Sequence, residues 1–312
     1  MPSLLQQFRS FHTRNFPNSL EESIDYFSVF GGLGWEIDTD VPLTELIQEL
    51  ILENYGHLHN QVSFYTLDDP LYHTILTAIA RGDRRTHSAY KRAHISQSVG
   101  DAAVEYLCRS GILKMEYSRE VPPQREYPHQ KLKKEVERHQ ISDKLLFTSP
   151  FLRFWFAFVA PLHKSIKNGD YTQLLLRFQE HEQSFSSLLF EKLSIAFLKK
   201  HCVDDPIIEV GSYWDRQVEI DVLAKTHSGL NLVAECKYTN TKVNRSEWGK
   251  LQEKCQLADL QADINILFSK RGFSNELLAL ADKSLLLYQL NDFKILLENI
   301  SPYELIEGFE KP

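Results

Sequence analysis

Cysteine is scarce in this chain and poorly placed for pairing. Cys108, Cys202, Cys236 and Cys255 are scattered with no CxxC spacing, which excludes a disulfide framework and a zinc knuckle and fits reduced thiols. Long apolar runs are missing too. The greasiest stretch, residues 151–160, is too short to span a bilayer, carries Arg153 and is followed by Pro161. Residues 1–10 lack the apolar core of a secretory leader, so a cytoplasmic protein with no membrane partner is expected. There is no internal repeat, no low-complexity segment and no G-x-x-x-x-G-K-[ST] phosphate cradle. ATP hydrolysis is therefore not expected, and Gly31-Gly32-Leu33-Gly34 reads as a turn. Positive charge is not in excess. A net charge of −7 argues against nonspecific coating of nucleic acid but leaves room for a local basic surface.

What is present describes a folded chain. The 312 residues, 43% apolar and 25% charged, suffice for about two domains with cores of their own. Residues 1–66 read as helical; Pro42 near a helix start and an i, i+3, i+4 apolar pattern mark a helix over residues 41–52. Asp68-Asp69-Pro70 caps a helix reaching Arg81, with Gly82 as its terminator. A short helix at residues 87–93, a turn at residues 94–97 and an amphipathic helix stopped by Gly111 follow. Residues 112–117 alternate as a strand, residues 119–138 form a polar wing or loop, and residues 139–147 form a returning strand. Helix, helix-turn-helix and strand is the order of a winged helix, assigned to 67–148. Residues 149–180 form a helical connector with an aromatic-rich helix from Phe151. From 181 to 312, with a mostly apolar helix from Phe185 at its start, helices alternate with strands at residues 207–210, 217–224, 230–238, 264–268 and 285–288, an α/β domain.

Chemistry concentrates on two neighbouring strands. Side chains alternate along a strand, so Glu219 and Asp221 share one face of the first, and Glu235 and Lys237 one face of the second. A hairpin turning near Ser228-Gly229 sets Asp221 opposite Glu235 and Glu219 opposite Lys237, gathering three carboxylates and one ammonium. Such acids repel unless a hard divalent cation relieves them. The cation would also neutralise a scissile phosphate and acidify an attacking water, and Lys237 supplies a movable positive charge. Exposed strands also carry alternating charge for solubility. Here, however, the strand ahead of Glu235 is apolar, Asp221 lies at hairpin distance, and Glu191 sits alone among apolar helical residues, where an unpaired carboxylate is costly.

Asp221, a spacer and Glu235-x-Lys237 resemble the motif of the PD-(D/E)XK nuclease superfamily, with Ile220 where the motif's proline would stand. The resemblance implies a restriction-endonuclease-like α/β domain using Mg²⁺ or Mn²⁺. It implies Asp221, Glu235 and the Cys236 carbonyl as metal ligands, Glu191 and Glu219 as further candidate ligands, Lys237 as catalytic and Glu191 as assisting. A wider resemblance rests on Tyr26-Phe27-Ser28-Val29-Phe30-Gly31-Gly32, residues 72–81 and 151–161, Gly211-Ser212-Tyr213-Trp214 with Glu219-Ile220-Asp221, and Phe268-Ser269-Lys270-Arg271-Gly272-Phe273. It is to the archaeal-type P-loop ATPase family, whose lid, winged helix and C-terminal nuclease-like portion are matched here without the ATPase core. It implies a lid-like region over 1–66.

The expected function is metal-dependent phosphodiester hydrolysis in DNA. Arg81, Arg84, Arg85, Lys91 and Arg92 are candidates to face phosphates; Gln97, Ser98 and Arg109 are candidates to reach bases. The alternative is a catalytically inactive nuclease fold that binds DNA or regulates, working with a separate ATPase; assembly with a second copy is also open. His57-x-His59 with His73 lacks a third ligand at a defined spacing and reads as surface or capping histidines rather than a metal site. Cys236 points away from Glu235 and reads as a core thiol.

Overall fold

Local capping sets where the helices begin. In the computed structural model, which describes residues 2–122, 127, 131, 139, 141–300 and 311, Ser3 and Gln6 form a reciprocal capping box ahead of α1 (Leu4–Asn15). Ser19 accepts the Glu22 amide ahead of α2 (Leu20–Phe30). Both satisfy amides that the first helical turn leaves open. α3 (Leu43–Leu46) runs on as a wider π turn, Ile47–Leu52, before α4 (Tyr55–Thr66). Asp69 caps α5 (Pro70–Ala80), where Pro70 occupies a position that needs no N–H. α6 (Thr86–Ala93) and α7 (Gln97–Arg109) follow, α7 capped by Ser96.

Gly111, with φ 78°, turns the chain out of α7 into β1 (Leu113–Glu116), which pairs antiparallel with β2 (Lys144–Phe147). Three helices and a two-stranded hairpin thus occur in the expected order. Most of the expected wing at 119–138 lies outside the described residues, and the returning strand begins at Lys144 rather than at residue 139. Gly82, expected as a left-handed terminator, is not left-handed. A Cβ there would lie 2.6 Å from the Ala78 carbonyl oxygen, so a larger residue would crowd the end of α5.

The aromatic run is core, as its composition requires. α8 (Pro150–Phe154) continues through a π turn (Trp155–Val159) and a 3-10 turn (Ala160–Leu162) containing Pro161. Apart from Arg153, residues 151–159 are buried. α9 (His163–Lys167) leads to α10 (Thr172–His201), a helix of 30 residues, about 45 Å long. α10 runs unbroken through residues 180 and 181, where the sequence suggests a domain boundary. Near its start Phe178 meets Phe154 and Phe158 edge-on, and near its end Phe197 meets Phe268 of the sheet. One helix therefore serves both halves as a spine.

The sheet has the order β3 (Ile207–Trp214), β4 (Glu219–Thr226), β5 (Asn231–Lys237), β6 (Ile264–Ser269), β7 (Leu285–Gln289). β3 to β5 are antiparallel, and β6 and β7 join in parallel. α10 and the 3-10 stretch Leu290–Leu297 cover one face; α11 (Arg245–Leu257) and α12 (Asn275–Leu280) cover the other. The chain is α+β, a helical first half followed by a mixed five-stranded sheet with helices. Among the described residues no helix is long and apolar enough to cross a membrane.

A buried ammonium ties the hairpin to the sheet. The Lys144 side chain is 1% exposed, pairs with Glu219 of β4 and lies 4.6 Å from the Trp214 ring centre. Trp214 Nε1 donates to Ser142 O at 2.9 Å. Glu219→Ala strands that ammonium and is expected to cost about 2 kcal/mol, read as a lowered urea midpoint. Lys144→Met combined with Glu219→Gln should recover most of the loss; an unchanged midpoint in Glu219→Ala would show that the pair does not hold the halves together.

Candidate functional site

β4 is bulged at the site. From Leu223 to Ile220 it advances three residues while β3 advances two, from Gly211 to Tyr213. The extra residue falls at Asp221-Val222, and a bulge of this kind re-aims side chains and twists the strand. Its effect is visible in the packing. Ile220 and Val233 lie in the core under α11 and α12, whereas Val222, Ala224, Leu232 and Ala234 lie in the core under α10. Strict alternation from Ile220 would have placed Val222 on the former side.

The register between β4 and β5 runs from Lys225↔Asn231 to Val222↔Ala234, which is the hairpin offset expected from the sequence. One step beyond the last pair, Asp221 lies across from Glu235. Its Oδ2 accepts the Cys236 amide at 2.8 Å, taking up an N–H next to the end of that ladder. Glu235 is buried, and both its oxygens are paired, Oε1 with Lys237 Nζ at 2.9 Å and Oε2 with Lys254 Nζ at 2.7 Å. Lys237 also reaches Glu247 Oε2 at 3.1 Å. Glu235 and Lys237 thus project toward α11, which carries both Glu247 and Lys254. The Cys236 thiol points the other way, beside Ser194 of α10, and burial pushes its pKa well up, as befits a core thiol.

One part of the expected cluster is corrected. Glu219 does not stand beside Lys237: the bulge separates the two, and Glu219 is taken by Lys144 while 45% exposed. Lys237 finds Glu247 instead. Among the described residues no three His, Cys, Asp or Glu side chains are gathered closely enough to hold a metal ion. The acids that remain near one another are Asp221, Glu235 and Glu191.

Electrostatics distinguish these acids. Burial, followed by repulsion from Glu191 and Glu235, raises the Asp221 carboxyl well above its usual range, opposed by the Cys236 amide and Lys254. Burial also raises Glu191, against the pull of Arg84, Lys192 and Arg153. Against the effect of burial, Glu235 and Glu247 hold the Lys237 ammonium above its ordinary value. Asp221 is the acid with the least compensation: its hydrogen bond is to a neutral amide, and the charges acting on it include two other carboxylates.

The basic residues read from the sequence divide into three groups. Arg84 and Arg85 are turned inward. Arg84 Nη1 lies 3.4 Å from Glu116 Oε2, and Arg85 Nη2 donates to Asp215 O at 3.2 Å. Glu116 is also held by Lys192 at 2.9 Å, which fastens the hairpin to α10. Arg81 and Arg92 line a separate cavity. Lys91, Gln97 and Ser98 are exposed, and Arg109 pairs with Glu105.

Lys254, Glu247, Arg84 and Arg153 come to the surroundings of these acids only through the fold. Glu247 and Lys254 flank the buried Leu251 on one stripe of α11, a spacing that marks a sheet-facing side. Arg153, embedded in the aromatic run, donates to Phe185 O at 2.8 Å. Burial and then Arg84 push it down to about 9.

Residues 155–250 match the model of DUF234, a family described as archaea bacterial proteins of unknown function. The match names neither a nuclease nor a P-loop ATPase; it spans Glu191, Asp221, Glu235, Lys237 and Glu247 and stops before Lys254. No curated protein and no solved structure matches the chain.

A carboxyl whose pKa rises on folding favours the folded state below its unfolded value, and this contribution is lost as pH rises through the folded value. Asp221→Asn keeps an oxygen for the Cys236 amide and removes the charge. It is expected to raise stability at neutral pH by about 1 kcal/mol or more, with the gain vanishing as pH falls below the ordinary aspartate range. A variant that is destabilised across the whole range in urea titrations would contradict this account of Asp221.

Proposed function

We propose that the chain is a metal-dependent phosphodiesterase acting on DNA. Its sheet half is read as a PD-(D/E)XK-type domain and α5 to α7 with the β1–β2 hairpin as a winged helix. The observation that carries the reading is the buried Asp221 carboxyl, hydrogen-bonded only to the neutral Cys236 amide and repelled by Glu191 and Glu235, one residue beyond the end of the β4–β5 ladder, with Lys237 on the neighbouring strand. A site that crowds acids and leaves one without an ion-pair contact among the described residues suits a hard divalent ion. Asp221 and Glu235 would hold Mg²⁺ or Mn²⁺, with Glu191 assisting, and the ion would offset the charge of a phosphate. Lys237, partly exposed and already placed between two carboxylates, would steady the charge that develops on the phosphate. Lys91, Gln97 and Ser98, exposed around the α6–α7 turn, would meet the duplex.

One feature favours a second reading, an inactive nuclease fold that binds DNA or regulates a partner such as a separate ATPase. Both Glu235 oxygens already carry ammonium groups, and a cation there would have to displace at least one of them.

Supercoiled plasmid separates the two readings. The first expects nicking that depends on Mg²⁺ or Mn²⁺ and falls about 100-fold or more in Asp221→Asn and in Lys237→Ala. The second expects no nicking by the wild type and duplex binding that weakens steeply with salt. Metal-dependent nicking at wild-type rates by both variants would remove these residues from the chemistry.

A further inference from the structure

A second concentration of positive charge among the described residues lies away from the acids. Between α4, α5, α6, α8 and its continuation, and α9, a cavity of about 830 Å³ opens, lined by Arg81, Arg92, Lys167, His59, His73 and His163. Its floor is aromatic: Tyr55 is stacked between His59 at 5.3 Å and Trp155 at 5.5 Å, and Lys167 lies 5.9 Å from the Tyr55 ring centre. Asp68 is the lining acid; it is largely exposed and lies 3.9 Å from His73 Nε2.

The two arginines of this hollow are not spent on holding the fold. Arg84 and Arg85, only a few residues along, are both engaged, whereas among the described residues the Arg81, Arg92 and Lys167 side chains make no hydrogen bond or ion pair. Arg81 is crowded by its own kind: burial, Arg177 and Arg92 all lower its pKa. Burial likewise lowers His59 and His73, so at neutral pH they present ring nitrogens without adding charge, and His73 is already fixed by Thr66 Oγ1 at 2.8 Å. Three permanent charges against one exposed acid, in a hollow with a rigid floor, fit an anion with several charged oxygens. The hollow is much larger than a single phosphate, and its cations come from three different elements, which suits an extended anion. The Tyr55 ring is already stacked on His59 and on Trp155, so recognition falls to the charged groups rather than to a stacking base.

We infer that this cavity binds a small molecule bearing a pyrophosphate-class group, held by Arg81, Arg92 and Lys167. The site is independent of Asp221, Glu235 and Lys237 and needs no divalent ion.

Isothermal titration of the full chain in EDTA-containing buffer, with pyrophosphate and inorganic phosphate as probes, tests it. Pyrophosphate is expected to bind at one site per chain, about tenfold or more tighter than phosphate. Arg81→Ala and Arg92→Gln should each weaken it about tenfold, while Lys237→Ala leaves it unchanged. Both arginines are exposed, so folding should survive, and an unchanged melting temperature in each variant checks this. No heat from pyrophosphate with the wild type, or affinity lost in Lys237→Ala and kept in the arginine variants, would overturn the assignment. Stoichiometric displacement of pyrophosphate by duplex DNA would also overturn it, assigning the hollow to a nucleic-acid surface.

Discussion

Carboxylates drawn out of water at the end of β4 and β5 must be met by positive charge, and the way each one is met organises the sheet half of the molecule. Glu235 receives Lys237 from its own strand and Lys254 from α11. Glu219 receives Lys144 from the hairpin. Glu191 stands under the influence of Arg84, Lys192 and Arg153. Asp221 receives a backbone amide. A buried carboxylate without a counterion is expensive, and structures retain that expense mainly where chemistry or binding uses it.

The compensating cations come from the helical half as much as from the sheet. Arg84 precedes α6, Lys144 opens β2, Arg153 lies in α8 and Lys192 in α10. Glu116, gripped by Arg84 and Lys192, sits in the middle of this seam. Against the effect of burial, Lys192 and Arg84 hold its pKa below the usual carboxylate range. The hairpin is therefore part of the electrostatic surroundings of the acids rather than an appended module.

The two basic surfaces do different work. Arg84 and Arg85 stabilise the seam, with their hydrogen-bonding capacity directed at protein oxygens. Arg81 and Arg92, close to them in sequence, face a hollow and contribute no pairing to the fold.

Much of the local structure was legible in the residues alone. The cap at Asp69, the sheet strands and the β4–β5 offset follow from hydrogen-bonding chemistry and period-two patterning, which act over a few residues. The pairing of Glu235 with a lysine on its own strand was within the same reach. The bulge at Asp221 was not, because a one-residue slip between β3 and β4 leaves no mark in β4 itself; it is settled by how two cores fill on opposite faces. The partners of Glu219, Lys237 and the arginines were hidden for the same reason. Charge pairs across 75 positions, as between Lys144 and Glu219, depend on where α10 carries the sheet relative to the hairpin, and only the packed tertiary structure decides that.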